Sequence, residues 1–285
     1  MPMRIVLLAN RDIESALALN LLLRKMHAQV MAIYLSDHVG GAQPRPASML
    51  DPLTFIEQDL FNMLAFPLLE QRGSSTPRWL GFPALSQHYR IPLHPVHRLK
   101  DAAVLDSLRA TQADIFVSIR FGKILPDEVI NIPAHGVLNL HSGLLPQYRG
   151  VLATLRALLH GDREIGCTLH RIDSPGIDLG GIVASARRAV DPTHSLLWHI
   201  LALYPLGVEL ITQALDSLAQ RQTLALTPQN PANGAYYSFP EEAELQRFAS
   251  LGWHLFDRED IRQLLIAFGV EPSSIAAHDL EHYLR

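Results

Sequence analysis

Asn139 and His141 interrupt an apolar run, Val137-Leu138-Asn139-Leu140, that otherwise reads as a buried strand. Side chains alternate along a strand, so the amide and the imidazole face the same side, ~7 Å apart. An amide is an uncharged hydrogen-bond donor, and an imidazole gives or takes a proton near neutral pH. Burying either side chain unpaired costs roughly 1–3 kcal/mol, so an apolar pair would serve a purely structural strand better. The C-terminal end of a buried strand is also where open α/β sheets place their chemistry. Ser142-Gly143 then turns the chain, and Pro146 and Gly150 punctuate a tight loop. A third candidate, Asp178, lies in the turn-rich stretch from Asp173 to Gly181, where a carboxylate can equally stabilise the turn.

A sheet is needed to hold these groups, and the chain spells one out. The apolar run from Arg4 to Ala9, a helical pattern from Ile13 to Met26 and a second run from Gln29 to Leu35 form a β-α-β opening, which predicts a parallel sheet. Ala9-Asn10-Arg11-Asp12 lacks the glycines of a dinucleotide fingerprint, which disfavours a nicotinamide cofactor. Residues 37 to 50 are Gly/Pro-rich and read as a long loop. Further strands are expected over 114–119, 137–140, 165–172 and 181–190. Helices are expected from Pro126 to about Ile132, from Leu152 to His160, and from an N-cap at Thr193 to about Leu218. From about residue 223 the character changes to a linker, the aromatic run Tyr236-Tyr237-Ser238-Phe239, and two helical patterns. The expected division is 1–222 for an α/β catalytic domain and 223–285 for a small C-terminal appendage.

Composition narrows the functional class. Net charge is -4 and only Lys25, Lys100 and Lys123 are lysines, so no basic footprint for nucleic acid is present. From Thr223 to Arg285 nine acidic residues face four basic ones, a balance that opposes a phosphate backbone. Cys167 is the single cysteine, which excludes an intrachain disulfide and leaves it most simply in the core. The histidines, among them His135, His170 and His194, form no helix-spaced metal pattern, so no metal site is expected. No apolar stretch reads as clean enough to span a bilayer, and a cytoplasmic location is expected.

Taken together, Arg120-Phe121-Gly122-Lys123-Ile124-Leu125-Pro126, Asn139-x-His141, Leu144-Leu145-Pro146-Gln147-Tyr148-Arg149-Gly150 and Gly176-Ile177-Asp178-Leu179-Gly180 resemble the formyltransferase family. That family uses 10-formyltetrahydrofolate and includes enzymes acting on methionyl-tRNA, glycinamide ribonucleotide and amino sugars. The wording is most similar to the methionyl-tRNA branch and covers roughly residues 112 to 215. Four departures stand out. Ser174-Pro175 looks like an insertion beside Asp178, Leu179 replaces a usual small polar residue, the branch's N-terminal Gly-Thr-Pro element is missing, and its basic C-terminal domain is not recognisable.

The resemblance implies a Rossmann-like, mostly parallel sheet flanked by helices, and formyl transfer from 10-formyltetrahydrofolate to an amine. Asn139 and His141 would stabilise the negative charge that develops on the formyl oxygen, and Asp178 would orient His141 and assist proton transfer. If Ser174-Pro175 displaced Asp178, Asp173 would be its substitute. The donor pocket would be formed by Arg120, Phe121, Gly122, Lys123, Ile124 and Leu125 with Ile172, Asp173 and Gly176. Arg120 and Lys123 would meet folate carboxylates, or else remain solvated surface charges. Ser142, Gly143, Tyr148 and Arg149 would line the acceptor side, with Arg149 alternatively bracing its loop. A small-molecule amine is the expected acceptor, methionyl-tRNA formylation and hydrolysis of the same donor being the alternatives. Tyr236, Tyr237 and Phe239 would either cover the pocket or anchor the tail.

Overall fold

The computed structural model describes residues 3–37, 47–72 and 79–270. Its strands are β1 (Ile5–Asn10), β2 (Val30–Ser36), β3 (Leu93–Pro95), β4 (Ile115–Ile119), β5 (Val137–His141), β6 (Tyr148–Gly150), β7 (Glu164–Ile172), β8 (Ile182–Ala189) and β9 (Ala235–Tyr237). Its helices are α1 (Ile13–Met26), α2 (Asp51–Thr54), α3 (Phe66–Arg72), α4 (Phe82–Tyr89), α5 (Ala102–Ala110), α6 (Asp127–Ile130), α7 (Ala153–His160), α8 (Leu196–Ala219), α9 (Glu242–Ser250) and α10 (Arg258–Phe268). Between α2 and α3, Phe55–Ala65 continues helically with wider i→i+5 turns. Most of the expected 37–50 loop lies outside the described residues, and Ser48–Leu50 form a short 3-10 turn.

The main sheet has seven strands in the order β3-β2-β1-β4-β5-β7-β8. Its β1–β2, β1–β4, β2–β3 and β4–β5 pairs are parallel, and β7 and β8 complete it antiparallel. The chain winds outward from β1 to β3 and then returns to β4 beside β1. That reversal is the crevice where open α/β sheets bind ligands. Alternation divides the core between the two faces. Ile5, Leu7, Leu138 and Leu140 join α1 and α8 in one cluster, and Val6, Leu8, Phe116 and Val137 join Leu125 and Val129 in the other. Cys167 is buried, and burial pushes its thiol up to about 12.

Two expectations need correction. α8 is capped by Ser195, whose Oγ accepts the Trp198 N–H at 3.3 Å, because the Thr193 hydroxyl is turned to Asp191 at 2.6 Å. Contrary to the reading of the sequence, α8 is also long and apolar enough, by length and composition, to cross a membrane. Here its apolar stripe, including Leu197, Ile200, Leu203 and Ile211, is buried in the core beside α1, β7 and β8. The chain after β8 returns to this core. β9 pairs in parallel with β6, and Leu245, Phe248, Ile261, Leu265 and Phe268 are buried in the same cluster as β1.

Candidate active site

Parallel register aligns Ser118 of β4 with Asn139 of β5, and antiparallel register aligns Asn139 with His170 of β7. Ser118, Asn139 and His170 therefore form a row across the strands, and all three line one cavity. His170 Nδ1 lies 3.0 Å from the Arg171 carbonyl, which can only accept, so that nitrogen carries the proton. Nε2 faces both the Asn139 amide nitrogen, at 3.0 Å, and Asp178 Oδ1, at 3.3 Å. This fixes the plane of the Asn139 amide and leaves its second N–H to serve another partner.

His141 is buried, and its Nε2 donates to the Tyr148 carbonyl at 2.6 Å. Gly143 makes that posture possible: a Cβ there would lie 2.7 Å from His141 Nε2 and 2.4 Å from the Ala153 Cβ. The other ring nitrogen, Nδ1, faces Asp178 Oδ2 at 3.6 Å. The loop between β7 and β8 brings Asp178 back to the sheet with φ +53°, a left-handed backbone that aspartate tolerates better than most residues. Its Oδ1 lies 3.3 Å from His170 Nε2, and the Gly150 N–H donates to Oδ2 at 2.8 Å. Burial pushes this carboxyl upward, but His141, His170 and the Gly150 N–H outweigh it and hold Asp178 well below the ordinary carboxylate range. The carboxylate is therefore ionised and acceptor-only at neutral pH. Ser174-Pro175 has not displaced it.

The cavity measures about 670 Å³, a volume typical of small-ligand sites. Its lining includes the loop after β4, Phe121 to Leu125, with Ile172, Gly176 and Ile177, and also Leu50, Leu53, Thr54, Glu57, Gln58, Val151, Ile200, Tyr236 and Phe239. Asn139, His141, Ser142 and Asp178 line the same cavity.

Of the expected site residues, Asp173, Gly143, Tyr148 and Arg149 fall outside the cavity lining, and Arg120 lines it with its charge already engaged. Its guanidinium is held by Asp12 at 2.9 Å and by Glu14 and Glu57 at 3.4 Å, so it is committed to a buried ion cluster. Asp173 is exposed and pairs with Arg171 at 2.7 Å, outside the cavity lining. Gly143 lies beneath His141 and is also outside the lining. Tyr148 is a core residue, its hydroxyl donating to Asp162 at 2.7 Å. Arg149 turns away to the Pro231 carbonyl at 3.4 Å, bracing the tail through a backbone oxygen. The aromatic run divides: Tyr236 and Phe239 line the cavity, while Tyr237 packs on Tyr148 and His160 and accepts the Arg156 guanidinium on its ring.

Two parts of the site escaped the reading of the sequence. His170 repeats in Thr168-x-His170 the two-residue spacing of Asn139-x-His141, a signal that both strands turn a polar row to one face. Leu50, Leu53 and Glu57 fall at helical spacing, which identifies a helix face without saying that it borders a cavity.

Comparison with known proteins adds the family. The model of the formyl transferase family matches residues 3–197. The chain belongs to that family. It is 36% identical over 178 residues to the methionyl-tRNA formyltransferase of Burkholderia multivorans, covering 62% of this chain and 53% of that protein. With the Thermus thermophilus methionyl-tRNA formyltransferase it shares 37% identity over 154 residues, 54% of this chain and 48% of that one. The chain thus spans about half the length of these curated relatives. Among solved structures, a formyltetrahydrofolate deformylase from Pseudomonas syringae superposes with TM-score 0.54 at 20% identity, over 81% of this chain and 67% of that one. The phosphoribosylglycinamide formyltransferase of Anaplasma phagocytophilum gives TM-score 0.53 at 20% identity, over 78% and 89%. An N-formyltransferase from Helicobacter canadensis, solved with folinic acid and dTDP-3-aminofucose, gives 0.51 at 16%, over 83% and 71%. These likenesses establish the fold, a mostly parallel α/β sheet flanked by helices.

Proposed function

We propose that this formyl transferase moves the formyl group of 10-formyltetrahydrofolate onto the amine of a small-molecule acceptor. The observation that carries the reading is the convergence of Asn139, His141 and an ionised Asp178 on one cavity flanked by Phe121 to Leu125. The wall of Phe121, Leu125, Ile172 and Ile177 fits a flat pterin, with backbone groups of the loop after β4 available to its amide-like edge. The donor supplies an activated formyl group on a nitrogen that leaves once it is protonated.

The residues then divide the work. The second N–H of Asn139 donates to the formyl oxygen as charge builds there, an interaction of about 3–4 kcal/mol in comparable sites. Both nitrogens of His141 face protein groups, so relaying a proton with Asp178 is the role this arrangement favours over direct donation to the oxygen. As the acceptor nitrogen bonds to the formyl carbon it loses a proton to the His141–Asp178 pair. That proton returns to the departing folate nitrogen when the old carbon–nitrogen bond breaks. His170 keeps Asn139 in plane and shares Asp178 with His141.

A second reading, formylation of methionyl-tRNA, is favoured by the identity to enzymes of that name. The three lysines and the acidic tail count against it. The deciding assay supplies 10-formyltetrahydrofolate with a panel of amines, with methionyl-tRNA, or with water alone, and identifies products by mass spectrometry. A formylated small amine is the expected product. Exclusive formylation of tRNA, or release of formate alone, would replace this reading. Donor binding is read separately: a folate analogue at about a hundred times its dissociation constant should add about 2.7 kcal/mol of stability.

A further inference from the structure

The loop Phe121 to Leu125, which the donor reading uses, leaves β4 through Arg120. That residue has φ +55°, in the left-handed region that a non-glycine residue seldom adopts. Two buried attachments fix the departure. The Gly122 N–H donates to Ser36 Oγ at 2.9 Å, and the Ser36 hydroxyl donates to Asn10 Oδ1 at 2.9 Å. The Asn10 amide donates in turn to Asp12 Oδ2 at 2.7 Å, and Arg120 Nε donates to that same oxygen at 2.9 Å. The path from Gly122 through Ser36, Asn10 and Asp12 therefore closes on Arg120, at the start of the same loop.

Each anchor of this ring is itself fixed by the fold. The parallel register of β1 and β2 sets Asn10 beside Ser36, and Asp12 is the N-cap of α1, accepting the Ser15 N–H at 2.8 Å. Asn10, Asp12 and Ser36 are fully buried. Glu14 of α1 and Glu57 add their carboxyl groups to the guanidinium at 3.4 Å, and the Tyr204 hydroxyl of α8 meets it as well. Burial disfavours the charge on Arg120, but Asp12, Glu14 and Glu57 outweigh it. A folate carboxylate would have to compete with these acids for a guanidinium they already hold.

We infer that Arg120 is a positioning residue for the formyl donor: tied to Asp12, and through Asn10 and Ser36 to Gly122, it sets the course of Phe121 to Leu125 and makes no contact with the folate carboxylates itself. This inference rests on the formyl-transfer reading above. A loop already held in its bound course binds more tightly, because the cost of ordering it is not charged to the ligand.

The test titrates folinic acid, and its counterpart without the glutamate, 5-formyltetrahydropteroate, into the full chain and three variants by calorimetry. Asp12→Asn keeps an N-cap for α1 but loses the charged bond to Arg120. Arg120→Lys keeps the charge but not the fork that spans several acids. Ser36→Ala removes one hydroxyl from the ring. Asp12→Asn and Arg120→Lys should each weaken both ligands about tenfold or more, and Ser36→Ala about threefold. The double variant of Asp12 and Arg120 should lose little more than either single one. A role in stability alone would lower Tm and leave the affinity of the folded protein unchanged, which would overturn the inference. Arg120→Lys weakening folinic acid but not the pteroate would overturn it too, because the guanidinium would then be meeting the glutamate carboxylates. Should Asp12→Asn or Arg120→Lys not fold, Ser36→Ala decides, and wild-type affinity there overturns the inference. If the wild-type chain binds neither ligand at millimolar concentration, the formyl-transfer reading fails and takes the inference with it.

Discussion

Asp178 shows how three neighbours can decide the state of one residue. Burial alone would favour the neutral acid, yet His141, His170 and the Gly150 N–H keep it ionised. Because its folded pKa is depressed, its contribution to stability is fully present above the unfolded value, about 4, and is lost as pH falls through the folded one. Asp178→Asn suits the left-handed backbone and should fold, but its turnover should drop by about two orders of magnitude or more. The stability advantage of wild type over Asp178→Asn should be larger at about pH 7 than at about pH 2, measured by denaturant unfolding. An advantage unchanged between the two would show that the carboxylate is not held as described. Asn139→Ala should lose turnover to a similar extent, and in the double variant the losses should not add, since both residues share His170.

At the scale of elements, what could be read from sequence was what depends on neighbours along the chain. The alternation in β5 placed Asn139 and His141 on one face because period two is a local property, and the bounds of α1 followed from its helical pattern. His170 was not readable as a site residue, because its place beside Asn139 depends on the pairing of β5 with β7, set by residues far apart in the chain. Arg120 was misread for a related reason. The acids that hold it come from α1 and from the Phe55–Ala65 segment, and no spacing near residue 120 announces them. Tyr148 and Arg149 sit in the expected loop, but β6 turns them away from the cavity. The same loop gives a sharp prediction. Gly143→Ala should leave a folded protein with an intact donor site and a displaced imidazole, so turnover should fall at least about tenfold with little change in folate affinity. Unchanged turnover would mean that the position of His141 does not matter.

For the whole molecule, the tail's burial implies that it is needed for folding. Leu245, Phe248, Ile261, Leu265 and Phe268 are all buried, and Arg156 reaches out to Glu244 and the Ser238 carbonyl. A chain ending at residue 222 should therefore expose a broad apolar face and be recovered as aggregate, as solubility and light scattering would register. A soluble, monodisperse product with normal folate binding would instead show that the first 222 residues are self-sufficient. There is a subtler link through Gly150. Its N–H is donated to Asp178, its backbone lies opposite Tyr237 of β9, and Val151 N–H donates to the Tyr237 carbonyl at 2.9 Å. Anything that strengthens the seating of β9 also steadies the donor that keeps Asp178 charged, and by thermodynamic reciprocity a change in charge on Asp178 is felt at β9. A protease nick near residue 230, or a partner pulling on the strand, would then act as a volume control on catalysis without entering the cavity.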